Sequence, residues 1–524
     1  MNMKINLDFE TEFIKIDNIN FSNVYLLTED LYGWVDDSGN LLDKKNIIDK
    51  IKNLICDFSV KEIQSFFSNI LGNCSLIISN NLFFYCVNSS TSPGLFYYVK
   101  KKEIYITDKE NETFKGIKNL DINAYASSFL FHQGLIRDSK NSLNKKWRYL
   151  CSGCDLYLEE NKETRSFYFS DQPPIPLSFG KILETIMKAY SIALNDVFVA
   201  KSGGIDSTCI SVAYNKSFIN GKLIHIPYFG KSTPAYKTSK EIAKKLDLNF
   251  ELAESFKSNS NINSGLGISI GPEYEKFGFN YLASKYEKVN IITGQNLDSL
   301  YFIDSFAPSS NERGFIRAFK IVSSFFKRFM FSISFMRVIE FFSKYFSANL
   351  ILKYIGTFLN GFSEHRPPFF FKDLKKNAKF KSLFESRENS YLELINNYNL
   401  DLNKKIRSLK YLKFVQNTHR NYFNLKLKHK INRINPFSEG PFVRFFLNYK
   451  LSIKDSFFIK PECVNYLKSN NVDYNKIASK YARSSFYYFA REIFFILPVN
   501  TQVFLGKIFN IKTSNYLFVI DSVD

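Results

Sequence analysis

The residues best suited to chemistry in this chain lie in the run Ser202-Gly203-Gly204-Ile205-Asp206-Ser207. Two adjacent glycines allow a tight turn that brings main-chain N–H groups close to an anion. Ser202 and Ser207 add hydroxyl donors, and Asp206 offers carboxylate oxygens of the kind that hold Mg²⁺. The run therefore predicts a phosphate-binding loop, although the same glycines are compatible with a simple connecting turn.

The segments around this loop must position it. The apolar run Val197–Ala200 comes just before the loop and predicts a buried strand, and residues 208–214 have the character of a helix. The positive end of that helix would point at a bound phosphate. Further strands are predicted at 223–228 and 289–293, with a helix at 238–246 between them. Strands alternating with helices predict a parallel sheet, with its ligand at the carboxyl ends of the strands.

The first third of the chain has a different pattern of short strands and turns. Apolar runs at 73–78 and 82–87 flank Asn80-Asn81 and predict a β-hairpin. A second pair of strands is predicted at 95–98 and 103–107. Closely spaced strands without long intervening helices indicate antiparallel pairing.

Length and composition limit the class of protein to which this chain can belong. The 524 residues suffice for two or three domains. The Pro-rich segment 171–177 predicts a linker between an antiparallel, β-rich domain at 1–170 and a parallel-sheet domain at 178–524, so the fold class is α/β. The net charge of +20 favours anionic partners such as ATP, nucleic acid or an acidic lipid surface. Seven cysteines without a disulfide framework indicate a reducing environment, and we expect a cytoplasmic protein.

Residues 313–360 alternate aromatic and aliphatic residues with Arg and Lys. No uncharged run there approaches the roughly 20 residues that span a bilayer. One interpretation is a basic amphipathic surface that contacts a membrane or a partner protein. The interpretation we favour is a set of core helices whose basic side chains face solvent.

Several motifs together resemble those of asparagine synthetase-type proteins, in the same order along nearly the whole chain. The run at 202–207 resembles the pyrophosphate loop of ATP pyrophosphatases, which split ATP into AMP and pyrophosphate. Thr293-Gly294-Gln295-Asn296-Leu297-Asp298 resembles the family motif Gly-Glu-Gly-Ala-Asp, and Arg433-Ile434-Asn435-Pro436-Phe437-Ser438-Glu439 resembles Arg-x-Pro-Phe-Leu-Asp. The resemblance implies a class II glutamine amidotransferase-like domain of Ntn-hydrolase type, followed by an adenine-nucleotide α-hydrolase-like domain.

The resemblance also implies a reaction, with ATP and Mg²⁺ as cofactors. A carboxylate substrate would be adenylated, and an amine or ammonia would attack it to give an amide, AMP and pyrophosphate. Asp206 and Asp298 would hold magnesium. The cofactor-binding residues in this scheme are Ala200, Ser202, Gly203, Gly204, Asp206, Ser207, Ile226 and Gly294.

Three positions depart from the family pattern. Asn2 stands where the glutaminases have a Cys nucleophile, so we expect no glutaminase activity, as in β-lactam synthetases and lasso-peptide cyclases. Gln295 replaces a Glu that could act as a base, and an amide cannot. Tyr487 aligns with a Lys that neutralises pyrophosphate. The cations considered as its replacement are Lys480, Lys454 and Arg491.

The candidate catalytic residues are Gln295, Glu439 and Lys454. Glu439 keeps the charge of the family's Asp, and it is either a structural residue or a replacement base, of which we favour the first. Lys201 either contacts a phosphate or caps the end of its strand, and both roles stay open. We interpret His225 as a wall or core residue beside the loop rather than a catalyst.

Other functions and sites also stay open. Changes at positions 2, 295 and 487 suit a nucleotide-binding pseudoenzyme or scaffold. A tRNA-modifying enzyme is less favoured because no separate RNA-binding module is evident, and we expect no nucleic-acid partner. A homodimer is one option for the assembly. Cys151-Ser152-Gly153-Cys154 has metal-site spacing, but it lacks a second pair, and a turn is the favoured interpretation.

Overall fold

In this computed structural model, the described residues are 4–17, 20–100, 103–109, 140, 144, 146–159, 162–218, 221–225, 234–253, 281–300, 389–412, 416–449 and 460–481. The fold is α/β and contains two sheets built mainly from antiparallel pairs and one parallel sheet. Several positions named above lie outside the described residues: Asn2, Ile226, the segment 313–360, Lys454, Tyr487 and Arg491.

The strands of the first two sheets all come from residues 4–167. They are β1 (Lys4–Asp8), β2 (Phe13–Lys15), β3 (Asn23–Val35), β4 (Leu41–Leu42), β5 (Ile70–Ser79), β6 (Phe83–Asn88), β7 (Leu95–Lys100), β8 (Glu103–Thr107), β9 (Arg148–Leu150), β10 (Cys154–Glu159) and β11 (Lys162–Phe167). One sheet has the order β1-β8-β7-β9, and the other has β11-β10-β6-β5-β3-β2, with β4 beside β3. The pairing is antiparallel except between β1 and β8, which run parallel.

The predicted hairpin is confirmed as β5 and β6. The side chain of Asn80 accepts from the main-chain N–H groups of Leu82 and Phe83 at 2.8 and 2.9 Å, which closes the turn. The predicted pair at 95–98 and 103–107 is confirmed as β7 and β8.

Two helices that the sequence analysis did not predict, α1 (Lys44–Cys56) and α2 (Val60–Phe67), lie between β4 and β5. Each has a side-chain cap, from Asp43 in the first and Ser59 in the second. Ile47, Ile51 and Ile55 recur every four residues and are buried, so one face of α1 packs on the core.

The parallel sheet uses β12 (Val197–Ala200), β13 (Lys222–His225), β14 (Asn249–Leu252), β15 (Val289–Ile292) and β16 (Ile431–Ile434). Its order is β14-β13-β12-β15-β16, and every pairing is parallel. The predicted strands of this sheet are confirmed as far as they are described, whereas β14 and β16 were not delimited in advance.

The described helices of this part include α3 (Phe179–Ala193), α4 (Ile205–Ser217), α5 (Pro234–Lys245), α6 (Leu297–Leu300), α7 (Leu402–Lys410), α8 (Gln416–His429), α9 (Gly440–Leu447), α10 (Pro461–Ser469) and α11 (Tyr474–Tyr481). The helix predicted at 238–246 starts earlier than expected, because Pro234 suits the first helical position. Across all described segments, the structure contains no helix that is both long and apolar enough to cross a membrane.

One apolar core runs through both parts of the chain. The rings of Tyr32 in β3 and Tyr190 in α3 meet edge to face at 5.2 Å between centroids. Phe167, at the end of β11, stacks on Tyr411 at 5.3 Å. The β-rich part therefore supports the parallel-sheet part directly, while the boundaries at 170 and 178 stay predictions.

Candidate functional site

The loop after β12 lies where the strand order of the parallel sheet reverses. β12 has β13 on one side and β15 on the other. The chain first adds β13 and β14 on one side of β12, and then adds β15 and β16 on the other side. Such a reversal opens a crevice at the carboxyl ends of the strands, where ligands bind in open α/β sheets. Residues 201–204 enter this crevice and lead directly into α4.

Close backbone packing requires glycine at two positions in this crevice. Gly203 has φ +81°, and a Cβ atom there would lie 2.6 Å from the main-chain oxygen of Ala235. A Cβ atom on Gly294, just after β15, would lie 3.0 Å from the main-chain nitrogen of Ser207. The structure thus brings the predicted Gly294 against the predicted loop.

The hydroxyl groups of Ser202 and Ser207 lie inside the loop and hydrogen-bond to each other and to its main chain. Ser207 Oγ lies 3.3 Å from the Ser202 N–H, 3.1 Å from Ser202 Oγ, and donates to the oxygen of Gly204 at 3.0 Å. The Gly204 N–H donates to Ser202 Oγ at 3.3 Å. Bonds of 3.3 Å are longer than the common N–H···O range, so an entering anion would replace weak contacts. The loop can therefore exchange its internal bonds for bonds to phosphate.

Lys201 lies underneath the loop. Its buried Nζ donates to Thr208 Oγ1 at 2.6 Å, Ser207 Oγ at 3.1 Å and Gly204 O at 3.4 Å. Burial lowers the pKa of this amine to about 7. These contacts support the second of the two roles left open for Lys201, which is to cap the end of its strand.

Lys460, which the sequence analysis missed, contacts Asp206. Lys460 Nζ lies 2.5 Å from both carboxylate oxygens, and the two side chains are 4% and 14% exposed. The sequence carries a partial signal, since Pro461 at the first helical position predicts a helix start. Nothing in the sequence indicates that Lys460 meets a residue 254 positions earlier. Lys480, one of the cations considered for neutralising pyrophosphate, donates to Glu241 at 2.5 Å.

The described contacts of Asp206 leave no carboxylate oxygen open to a magnesium ion, and the predicted pairing of Asp206 with Asp298 around magnesium stays a prediction. Both carboxylate oxygens of Asp206 accept from Lys460. Among the residues that the structure describes, no three His, Cys, Asp or Glu side chains lie close enough together to hold a metal. Asp298 lies in α6, directly after the Gly294 turn, and its side chain is outside the described part.

Gln295 belongs to a polar network between the ends of β15 and β16. Its Oε1 accepts from the hydroxyl of Tyr422, and its main-chain oxygen accepts from Asn435 Nδ2 at 3.0 Å. Asn296, at φ +69°, donates to Ser438 Oγ at 3.3 Å. Gln295 therefore lies beside the Gly294 turn, where an amide can position a ligand but cannot remove a proton.

Glu439 connects the two parts of the molecule. It accepts from the hydroxyl of Tyr190 in α3 at 2.6 Å and from the Gly72 N–H in β5 at 2.8 Å. Burial raises the pKa of this carboxyl to about 7, against the lowering effect of its hydrogen bonds. These partners belong to α3 and β5 rather than to the 201–207 loop, which supports the structural role over that of a base.

A cavity of about 50 Å³ lies between the two parts. Lys426 and Asp30 form an ion pair across it at 2.7 and 2.8 Å. Tyr422 and Asn435, the partners of Gln295, also line it. Sequence reasoning could not find this cavity, because its walls come from residues about 400 positions apart.

Two further predictions concern single residues near the sites. His225 lies behind the loop, with Nδ1 2.6 Å from the main-chain oxygen of Lys201, and burial lowers its pKa. This geometry matches a wall residue. Cys151 and Cys154 are buried with their sulfur atoms 3.4 Å apart, on either side of Gly153 at φ +68°. The expected tight turn is therefore present.

Comparisons with known proteins add little to this geometry. No protein-family model matches the chain, and no curated protein matches it. Among solved structures, it resembles the glutamine phosphoribosylpyrophosphate (PRPP) amidotransferase from B. subtilis complexed with ADP and GMP. That match has a TM-score of 0.16 and 8% identity, and it covers 56% of this chain and 60% of that chain. A likeness this weak carries no argument about fold or function.

Proposed function

We propose that the chain is an asparagine synthetase-like ligase that uses ATP to adenylate a carboxylate and passes the acyl group to an amine or ammonia. AMP and pyrophosphate are the other products. In this proposal the parallel sheet is an adenine-nucleotide α-hydrolase-like domain with a pyrophosphate loop at 202–207. The β-rich part is an Ntn-hydrolase-like domain that has no glutaminase activity.

The observation that carries the proposal is the glycine loop at the strand-order reversal. Gly203 brings the backbone close to α5, and α4 begins immediately after Gly204. The main-chain N–H groups of the loop therefore lie next to a helix N-terminus, a combination that suits a polyphosphate. A connecting turn alone would not require the Gly294 turn to pack against Ser207.

The chain's own residues supply positioning and charge in this proposal. The loop amides and the hydroxyls of Ser202 and Ser207 bind the phosphates, and the Lys460 ammonium lies beside Asp206. Gln295 and Asn435 orient the reacting groups at the neighbouring strand ends. Because Gln295 cannot accept a proton, the attacking nitrogen must arrive neutral or lose its proton to another group.

ATP–pyrophosphate exchange tests the proposal. In the presence of a panel of carboxylic acids, the wild-type chain should exchange labelled pyrophosphate into ATP with at least one acid. Asp206→Ala should lower that rate at least 100-fold, since it removes the residue that holds the loop cation. Asp49→Ala changes an exposed acid on α1 and serves as the matched control, with an unchanged rate expected. An Asp206→Ala rate equal to wild type would refute the proposed mechanism.

A second candidate is a nucleotide-binding pseudoenzyme. Two observations favour it: Asp206 is already paired with Lys460, and Gln295 stands between Tyr422 and Asn435 as a neutral amide. This candidate predicts that ATP binds but that no acid or amine in a broad panel supports exchange. Calorimetric titration of ATP, run beside the exchange assay, separates the two functions.

A further inference from the structure

The segment that begins at Lys460 holds the loop from the outside. Lys460 has φ +56°, and Pro461 fixes the start of α10 directly behind it. Cys209 of α4 lies with its sulfur 3.7 Å from the main-chain oxygen of Cys463. Tyr474 donates to the oxygen of Gly203 at 3.0 Å. The position of the Lys460 ammonium is therefore set by packed neighbours on α4 and the loop.

This ammonium and a divalent cation would compete for the same oxygens. Mg²⁺ binds carboxylate oxygen at about 2.0–2.1 Å and demands near-octahedral geometry. Lys460 Nζ lies 2.5 Å from both oxygens of Asp206. Two cations at this position would repel each other strongly, because the site is poorly exposed to solvent.

Burial makes the pair mutually dependent. The Lys460 side chain is 4% exposed, and a buried ammonium without a counter-charge is strongly disfavoured. Removing either partner leaves an uncompensated charge beside the loop. The pair is thus part of the folded site and not a chance surface contact.

We infer that the Lys460 ammonium takes the place of a metal ion at Asp206, so that the chain binds a nucleoside triphosphate at this loop without a divalent cation on that carboxylate. The inference rests on the proposed nucleotide site, and it adds that Lys460 balances the negative charge of Asp206 there. Lys460 brings its charge on a tethered side chain, whereas a metal would have to be recruited from solution.

Nucleotide affinity with and without Mg²⁺ tests this inference. For the wild-type chain, the Kd for ATP measured by calorimetry in EDTA should lie within about threefold of the value in excess Mg²⁺. For Lys460→Met, the Kd in EDTA should be at least about tenfold weaker than in Mg²⁺. Lys468→Met, at an exposed position of the same helix, is the control and should behave as wild type. A tenfold Mg²⁺ dependence in both wild type and Lys460→Met would overturn the inference.

A second readout does not need ATP. Lys460→Met should melt several degrees below wild type. Mg²⁺ alone should recover part of that loss by binding the Asp206 carboxylate, whose charge the lysine no longer balances. The double variant Lys460→Met/Asp206→Asn should not respond to Mg²⁺. If Mg²⁺ raises the melting temperature of wild type as much as that of Lys460→Met, the metal binds beside the lysine and the inference is wrong.

The two readouts separate the inference from the proposed function. Absence of ATP binding in every variant would contradict the ligase and the pseudoenzyme together. The Mg²⁺ response of the melting temperature would still show whether Lys460 occupies a cation position at Asp206.

Discussion

Burial shifts the pKa of two residues, one beneath the loop and one between the two parts of the molecule. Lys201 beneath the loop has its pKa lowered to about 7, and Glu439 between the two parts has its pKa raised to about 7. In each case the loss of solvent disfavours the charged form. Burial therefore shifts the pKa of both residues in the direction that favours the neutral form.

The raised pKa of Glu439 makes stability depend on pH. The ordinary value is 4.5, so the folded chain retains a proton that the unfolded chain releases between pH 4.5 and about 7. This contribution is fully present below pH 4.5 and is lost as the pH rises through the folded pKa. Glu439→Gln cannot titrate. The free energy of unfolding of wild type, minus that of Glu439→Gln, should fall by about 2 kcal/mol between about pH 5 and pH 8.

Urea denaturation at several pH values measures this difference. Subtracting the variant removes the pH dependence of every other titrating group that the two chains share. A difference that stays constant across the range would mean that Glu439 keeps one protonation state in the folded chain.

At the residue scale, the sequence predicted groups that act within one loop and missed groups that act across the fold. Ser202, Gly203 and Ser207 lie within six consecutive residues, so their closeness in space follows from the sequence alone. Lys460 and Tyr422 reach the site from other elements, and their positions depend on how those elements pack. Local patterns carry no information about such long-range pairings.

At the element scale, the glycine turn between β12 and α4 is the feature on which the proposed phosphate binding depends. Gly203→Ala would place a methyl group 2.6 Å from the Ala235 oxygen in a backbone region that L residues rarely adopt. We expect at least a tenfold weaker Kd for ATP by calorimetry, because the loop amides would shift.

Gly39→Ala is the matched control for this prediction. Gly39 has a similar φ of +84°, but the added methyl group would meet side chains alone, the flexible end of Lys181 at 3.0 Å and Leu177 at 3.5 Å. It should cost folding stability by about 1 kcal/mol and leave ATP affinity unchanged. Equal ATP affinities for the two variants would show that the loop conformation does not matter for binding.

Elements were predictable where hydrophobic periodicity or turn residues are strong. The β5–β6 hairpin and the strand before the loop follow from apolar runs and from Asn80. β16 was not predicted, because Ile431–Ile434 contains Asn432 and Arg433 and lacks a strong apolar run. Its place at the sheet edge, beside β15, comes from tertiary pairing that a four-residue pattern cannot specify.

At the scale of the whole molecule, contacts between the two parts give the β-rich part a supporting role. Glu439 bonds to Gly72, Lys426 pairs with Asp30, and the hydroxyl of Tyr411 donates to the oxygen of Ser90 at 2.9 Å. These contacts hold the edge of the parallel sheet formed by β16, next to the turn that carries Gln295. The order of the two parts was predictable from motif order, whereas their shared core was not.

Hydrogen exchange with and without ATP is the most direct test of the central claim, that the 202–207 loop holds the phosphates of a nucleotide. The account predicts slower exchange of main-chain amides at 202–207 and at 294–297 when ATP is saturating, with no change in the β5–β6 hairpin. Unchanged exchange at 202–207, or protection confined to the cavity between the two parts, would contradict it.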